Sequence, residues 1–192
     1  MLQPADQLDV AGERINKPHP ELELVWSGPE PANARARDTS QVVRELFESA
    51  EHRVIVAGFA FWGAKTIFET LHRRALAKTL EIEFFINVGP SGANYQMTSA
   101  SFYKHTWPWT DVAIDVYYDA RADGAGEQGS MHAKCVVVDE AATFITSANF
   151  TGAAHHINVE VGVLVRDADF ATRVAAQWRN LAAHSFFRKI NR

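Results

Sequence analysis

Cysteine is nearly absent from this sequence, which has Cys135 alone among its 192 residues. A single cysteine excludes an intrachain disulfide and a structural zinc site built on cysteines, and it favours a reducing compartment. Long apolar runs are also missing: the longest, residues 54–63, is far shorter than the ~20 residues of a membrane-spanning helix. The first residues, MLQPADQLDVAGER, lack the apolar centre of a signal peptide. These absences predict a cytoplasmic protein that does not bind membranes.

The sequence has no excess of positive charge. Its 19 Lys and Arg against 23 Asp and Glu give a net charge of −4, so any polyanion must be bound locally rather than by a general basic surface. A hydrophobic share of 47%, with five Trp and twelve Phe, suffices for one well-packed domain. We therefore expect a polar N-terminal arm over residues 1–20 and a single domain over residues 21–192.

Strand and helix patterns alternate along the chain. The β-branched and aromatic run over residues 53–62 predicts a strand buried on both faces, followed by a helix over 64–78 and a strand over 80–88. This β-α-β order implies parallel strands joined by a right-handed crossover. Further strands are predicted over residues 21–26, 112–118, 131–138, 142–146 and 158–165, and further helices over 39–50, capped by Asp38, and 167–184. The whole pattern predicts an α/β fold with a mixed, mostly parallel central sheet flanked by helices on both faces.

The segment from residue 96 to residue 110 has no clear period. It places aromatic side chains, Trp107 among them, beside Lys104 and His105. Such a group can line a substrate mouth or stack on a base, and we name Lys104 and Trp107 as candidate substrate-binding residues. A loop folded back over the core explains the same composition equally well.

Polar residues at regular spacing stand out over residues 131–165. On an extended strand, residues two apart share a face, so His132 and Lys134 are predicted to project side by side. Asp139 closes that strand at a turn, and we assign it a supporting role in holding the strand and turn in register. Ser147 and Asn149, again two apart, are expected to emerge at the end of the neighbouring strand.

These residue types suit phosphoryl transfer through a covalent histidine intermediate. A neutral imidazole at His132 can attack phosphorus in line, and Glu160 is the candidate carboxylate that fixes its far ring nitrogen. Lys134 supplies a positive charge, and Ser147 and Asn149 supply hydrogen-bond donors, to the phosphate oxygens. The predicted catalytic residues are His132, Lys134, Asp139, Ser147, Asn149 and Glu160; Lys134, Ser147 and Asn149 also bind substrate, and the mechanism uses neither metal nor cofactor.

The segments HAKCVVVD, TSANFT and NVE resemble the motif of the phospholipase D superfamily, and in particular short bacterial members of the endonuclease type that carry one motif per chain. The resemblance is specific over about residues 129–166 and looser over about 22–185. It implies a metal-independent phosphodiesterase acting on nucleic acid, with DNA as the favoured substrate. The upstream residues are similar to phospholipase D-like proteins of the antiphage system DISARM, which implies other defence proteins as partners.

One residue departs from the family pattern. Thr146 stands where the family usually has glycine, immediately before the motif serine. Glycine tolerates positive φ and lets the backbone approach a phosphate closely, whereas threonine is stiff and bulky at Cβ. A narrower phosphate pocket, or weaker activity, is the expected consequence.

A single motif implies two chains. The mechanism of the family that this sequence resembles needs one histidine to attack phosphorus and a second to protonate the leaving oxygen. A twofold axis through the site would place His132 of one copy opposite His132 of another, so we expect a homodimer. His105 is the weaker alternative for the second histidine, because no lysine and asparagine pattern surrounds it.

Two other functions fit the same residues. A phospholipase is disfavoured by the absence of a basic amphipathic helix. A binding subunit of a defence complex, with the fold but little or no catalysis, is favoured by Thr146 and by the acidic net charge. His155 and His156, adjacent in a loop, are expected to face solvent and are left out of the site.

Overall fold

The computed structural model of the chain describes residues 19–29, 35–88, 97–123 and 130–191, without the side chains of Asp123 and His156. The predicted arm over residues 1–20 therefore lies almost entirely outside the described residues. The elements are, in chain order, β1 (Glu21–Ser27), β2 (Arg37–Asp38), α1 (Thr39–Ser49), β3 (Arg53–Gly58), α2 (Lys65–Ala77), β4 (Glu81–Ile86), α3 (Ser99–His105), β5 (Asp115–Asp119), β6 (Cys135–Val138), β7 (Ala142–Thr146), α4 (Gly152–His156), β8 (Glu160–Arg166), α5 (Ala168–Ala183) and β9 (Phe187–Lys189).

The strands form one sheet in the order β2-β1-β8-β7-β6-β3-β4-β5-β9. The pairs β1–β2, β3–β4 and β4–β5 are parallel, and the other five neighbouring pairs are antiparallel. The predicted mixed α/β sheet is confirmed, but the expectation that it is mostly parallel is wrong. Only three residues join β6 to β7, and a connection that short can link only antiparallel neighbours.

Helices cover both faces of the sheet, as predicted. On one face, α1, α2 and α3 enclose a core that includes Phe47, Phe68 and Phe102. On the other face, α5 packs Ala171 and Ala175 against residues of β3, β4 and β6. Each cluster contains side chains of the helices and of the strands, so the sheet is packed against helices on both faces.

The sheet face that carries α5 is only partly covered. Leu22 and Leu24 of β1 share this face with Ile145 of β7, because the β1–β8 and β7–β8 registers place Leu24 and Ile145 on either side of Val163. Leu22 is 61% exposed, Leu24 54% and Val161, next along β8 on the same face, 51%. We call the group Leu22, Leu24, Ile145 and Val161 the open sheet face.

Asp139 closes the turn between β6 and β7. Its carboxylate accepts hydrogen bonds from the backbone N–H groups of Glu51, His52 and Arg53, each 2.8 Å long. Its own φ is 52°, a left-handed conformation that asparagine and aspartate tolerate better than most residues. These contacts tie the turn to the residues that lead into β3; the role of Asp139 in holding the Lys134 strand in register stays a prediction.

We predict that Asp139→Gly lowers the free energy of unfolding by about 2 kcal/mol, because three backbone donors lose a charged acceptor. Glycine removes the carboxylate without straining a φ of 52°. Urea denaturation followed by circular dichroism measures the change. The matched control is Ser185→Gly at a φ of 62°, which should be neutral or stabilising; equal effects at the two positions would contradict the assigned role.

The poorly patterned segment proves to be helix α3 and a loop folded onto the core. Trp107 has no exposed surface and packs edge-on against Phe84 at a centroid distance of 5.6 Å. The prediction that Trp107 binds substrate is therefore wrong, and the alternative of a loop covering the core holds. Lys104 is exposed in the last turn of α3, and no described contact joins it to the residues of the predicted site.

Candidate active site

Four of the predicted residues lie at one edge of the sheet. His132 and Lys134 directly precede β6, Ser147 directly follows β7, and Glu160 begins β8. Because β6, β7 and β8 are successive antiparallel neighbours, the start of β6, the end of β7 and the start of β8 coincide at this edge. Two backbone hydrogen bonds join these segments there, from Thr146 to Lys134 at 3.1 Å and from Ser147 to Val161 at 3.0 Å.

His132 and Lys134 are in contact, as their spacing predicted. The Lys134 Nζ lies 3.1 Å from Nδ1 and 3.3 Å from Nε2 of His132, and it donates a 2.7 Å hydrogen bond to the His132 carbonyl oxygen. His132 is exposed, whereas Lys134 is only 7% exposed. Burial lowers the pKa of Lys134, and the negative charge of Glu160 opposes that shift.

The charge of Lys134 is not neutralised by direct pairing. Within the described ranges, no carboxylate forms an ion pair with its Nζ, whose neighbours are a carbonyl oxygen and two rings. A buried ammonium without an ionic partner favours an anion that can reach it. The exposed imidazole of His132 stands directly beside that position.

Phe59 is a contact residue that the sequence did not indicate. Its ring centroid lies 4.6 Å from that of His132 with a tilt of 55°, and 5.3 Å from the Lys134 Nζ. Residues 53–62 were predicted as one buried strand, but β3 ends at Gly58. The signal that could have found Phe59 is its place just beyond the carboxyl end of a strand in a parallel pair, where ligands commonly bind.

Glu160 does not hold His132 in this structure. Its carboxylate accepts a 2.5 Å hydrogen bond from the Ser147 hydroxyl and a 3.3 Å hydrogen bond from the Asn158 amide. The predicted contact with the far nitrogen of His132 is therefore wrong here. The reason is proximity across the β7–β8 ladder, where the Ser147 Oγ also accepts from the Val161 N–H at 3.1 Å.

Asn149 contributes an unpaired polar atom. Its Oδ1 is buried and has no hydrogen-bond partner among the described residues. Buried polar atoms are nearly always paired, and this oxygen, an acceptor, is available only to a hydrogen-bond donor. A phosphate oxygen would have to be bound by the Asn149 NH2 group instead. The other polar side chain of this segment, Ser147, is exposed.

Thr146 fits its position without backbone strain. Its φ is not positive, so the glycine of the family pattern is not required by conformation. The Thr146 hydroxyl accepts from the Ala148 N–H at 3.0 Å and donates to the Val161 carbonyl at 3.4 Å. Threonine thereby supports the turn that carries Ser147 and Asn149.

The remaining predicted residues lie elsewhere. Asp139 is at the opposite end of β6 from His132, so it acts on the turn and not at the cluster. His155 was expected in solvent but is 2% exposed and contacts the ring of Phe150. In the part of the chain that the structure describes, no group of three or more His, Cys, Asp or Glu side chains is arranged to hold a metal ion.

Comparison with known proteins identifies the family of the chain. The model of the family described as "Cardiolipin synthase, PLD-like domain" matches residues 43–182, well over half of the chain. The chain belongs to the phospholipase D-like family. The resemblance that the motif predicted is therefore confirmed.

One relative and three solved structures extend the comparison of this phospholipase D-like chain. It is 28% identical over 149 residues to the DISARM protein DrmC of Bacillus paralicheniformis. The aligned region covers 75% of this chain and 56% of that relative. The chain thus spans just over half the length of the curated relative it matches.

The solved structures are similar in fold at 17% identity or less. A phospholipase D family member, Nuc from Salmonella typhimurium, superposes with a TM-score of 0.64 at 17% identity over 91% of this chain and 100% of that chain. NucT from Helicobacter pylori gives 0.60 at 17% identity over 83% and 95%, and phosphatidylserine synthase from Haemophilus influenzae gives 0.59 at 15% identity over 88% and 40%. Among the described residues of the phospholipase D-like chain, no helix has the length and hydropathy to cross a bilayer.

Proposed function

We propose that this phospholipase D-like protein is a metal-independent phosphodiesterase that cleaves nucleic acid, DNA foremost, through a phosphohistidine at His132. The observation that carries the proposal is the contact between an exposed imidazole and a buried ammonium, 3.1 Å apart, with no ionic partner described for the ammonium. A phosphate placed over Lys134 would have its phosphorus within reach of His132.

The proposed reaction proceeds in two displacements. A ring nitrogen of His132 attacks phosphorus, the bond from phosphorus to the leaving oxygen breaks, and His132 of a second copy of the chain donates a proton to that oxygen. Water then attacks the phosphorus, gives its proton to the second histidine and releases the first. One phosphodiester and one water become a phosphomonoester and an alcohol, while Lys134 and Asn149 stabilise the charge on the non-bridging oxygens.

The open sheet face supports a homodimer. Its four residues, Leu22, Leu24, Ile145 and Val161, are between 40% and 61% exposed, and grouped apolar side chains of this kind usually mark an interface. β7 ends and β8 begins at the edge that holds Ser147 and Glu160. We infer that a second copy docks on this face, near that edge, by a twofold axis that sets its own His132 opposite the first.

The biological setting is proposed from the relative. DrmC is a protein of the DISARM system, and the match covers most of this chain. We infer a role in bacterial antiphage defence, in the cytoplasm, with other defence proteins as partners. Residues 21–192 act as the catalytic domain in this proposal.

A groove beside the site favours one competing substrate. A cavity of about 560 Å³ adjoins His132 and Lys134 and is walled mainly by apolar side chains of β6, β7 and α5, including Phe170, Val174 and Trp178. An acyl chain would fit such a wall, which makes a phospholipid phosphodiester the second candidate. Ile145 of the open sheet face also lines this groove. A second copy docked on that face would therefore cover the groove and leave less room for an acyl chain.

The substrate is tested by incubating purified protein with labelled single-stranded DNA, duplex DNA, RNA and phosphatidylcholine vesicles, with EDTA throughout. We expect DNA cleavage that persists in EDTA and is lost by several orders of magnitude in His132→Ala. The matched control is His105→Ala, which removes an exposed histidine of α3 and should leave the rate unchanged. Release of choline would favour the phospholipase, and salt-sensitive DNA binding without turnover would favour a non-catalytic subunit.

A further inference from the structure

Phe59 lies against both members of the His132–Lys134 pair, at 4.6 Å from the imidazole centroid and 5.3 Å from the Lys134 Nζ. We propose that Phe59 is a positioning residue, whose ring sets the orientation of His132 and holds the Lys134 ammonium against it. This inference rests on the proposed phosphodiesterase function. Phe59 itself takes no part in bond making.

The ring of Phe59 stands on a rigid base. It follows the last residue of β3, a strand that pairs with β4 on one side and β6 on the other. Two residues on, Phe61 stacks on Phe150 at 5.3 Å with an interplanar angle of 12°. The Phe150 N–H also donates to the Ala60 carbonyl at 3.0 Å, which joins the Phe59 segment to the turn that follows Asn149.

Gly58 makes this close packing possible. A Cβ at position 58 would lie 2.4 Å from the ring of Phe61 and 2.7 Å from the ring of Phe150. Both distances are too short for a real contact, so only glycine lets the chain leave β3 at this angle. Phe59 is thus placed by the core and not by a mobile loop.

The ring holds the ammonium without neutralising it. The described neighbours of the Lys134 Nζ are the His132 carbonyl at 2.7 Å, the His132 ring and the Phe59 ring. None of these carries a negative charge, and the face of an aromatic ring attracts a cation. No group of opposite charge is described in direct contact with the Lys134 ammonium, which the ring holds in place for a phosphate.

The same ring limits the motion of His132. The imidazole is exposed, so its contacts with Phe59 and with Lys134 restrain its rotamer. Displacing a reacting group by about 1 Å can cost ~10²-fold in rate, because in-line attack needs a defined geometry. Loss of the ring should therefore reduce the chemical step and leave substrate affinity nearly unchanged.

Two substitutions separate this role from simple packing. Phe59→Leu keeps an apolar side chain but removes the ring face, and Phe59→Tyr keeps the ring. We expect kcat to fall about 10- to 100-fold in Phe59→Leu with KM nearly unchanged, and to stay close to wild type in Phe59→Tyr. The matched control is Phe186→Leu, which removes an exposed ring beside β9, at the far side of the sheet from β1. Equal kcat in Phe59→Leu and wild type, or a change confined to KM, would overturn the proposal.

A second measurement decides the matter if no substrate is cleaved or if Phe59→Leu does not fold. In NMR spectra of the wild-type protein, we expect cross-peaks between the ring protons of Phe59 and His132, and ring-current shifts of the Lys134 ε-methylene protons. A folded Phe59→Leu should lose these shifts and weaken the His132–Lys134 cross-peaks. If the Phe59–His132 cross-peaks are absent from the wild type, or if the His132–Lys134 cross-peaks are unchanged in the variant, the positioning role is contradicted, whatever the activity. Intact contacts in a protein that cleaves nothing would count against the proposed function alone.

Discussion

Replacing Lys134 by methionine should lower the cleavage rate by about 10³-fold while leaving the protein at least as stable as the wild type. Lys134 is 7% exposed, and burial lowers its pKa. Because the pKa of this lysine is lower in the folded protein than in the unfolded chain, the lysine destabilises the folded protein at every pH below its unfolded pKa. Methionine fills similar volume without the desolvation cost, but it cannot bind a phosphate. Activity and stability are therefore expected to move in opposite directions.

Steady-state cleavage assays and thermal denaturation of the same preparations check this prediction. The matched control is Lys104→Met, which removes an exposed lysine of α3 and should change neither quantity. A Lys134→Met protein that unfolds more readily and loses activity in proportion would indicate a structural lysine. A variant with near-normal activity would remove Lys134 from the proposed mechanism.

Leu24→Arg should convert the protein to a monomer and reduce cleavage to the level of the His132→Ala variant. Leu24 is 54% exposed and belongs to the open sheet face. An arginine there would place a like charge opposite itself across a twofold axis and would have to be desolvated in the dimer. His132 and Lys134 remain intact in this variant, so any loss of activity would come from the missing second copy.

Analytical ultracentrifugation beside the cleavage assay provides the measurement. Leu76→Arg is the matched control, because Leu76 is 57% exposed but lies on α2, on the other side of the sheet. It should remain dimeric and active. A monomeric Leu24→Arg with wild-type activity would show that one chain suffices and would remove the second histidine from the mechanism.

Local features of the fold could be predicted from the sequence because they depend on near neighbours. Asp38 was expected to cap α1, and its side chain accepts from the Gln41 N–H at 3.0 Å. The parallel β3–β4 pair followed from the strand–helix–strand pattern. The short turn at Asp139 also implied that β6 and β7 are antiparallel. The direction of the remaining strands did not follow, because apolar runs alone do not distinguish parallel from antiparallel neighbours.

Contacts between distant segments explain the other errors. Trp107 and His155 lie in polar or irregular stretches, yet both are buried by elements far away in sequence. Phe59 meets His132 only because β3 and β6 are neighbours in the sheet. The hydrophobic period and the composition of a segment do not predict which distant segments it will contact.

The candidate site was predictable to the extent that it depends on spacing. Two-residue spacing correctly brought His132 beside Lys134, and strand succession brought Ser147 near Glu160. The direction of each side chain was not predictable, because a glutamate can turn toward either of two neighbours. Glu160 accepts a hydrogen bond from Ser147 and not from His132. The catalytic roles of these residues stay predictions, which the variants above test for His132 and Lys134.

Native mass spectrometry of the protein, quenched during turnover of a DNA substrate in EDTA, tests the central claim most directly. The mass of the native sample gives the number of chains in the assembly. Proteolysis of an aliquot quenched at alkaline pH locates any DNA fragment that is attached through phosphorus. The account predicts an assembly of two chains carrying one adduct, attached to His132. An adduct on both chains at once, an adduct on another residue, or full turnover by a species with the mass of one chain would contradict it.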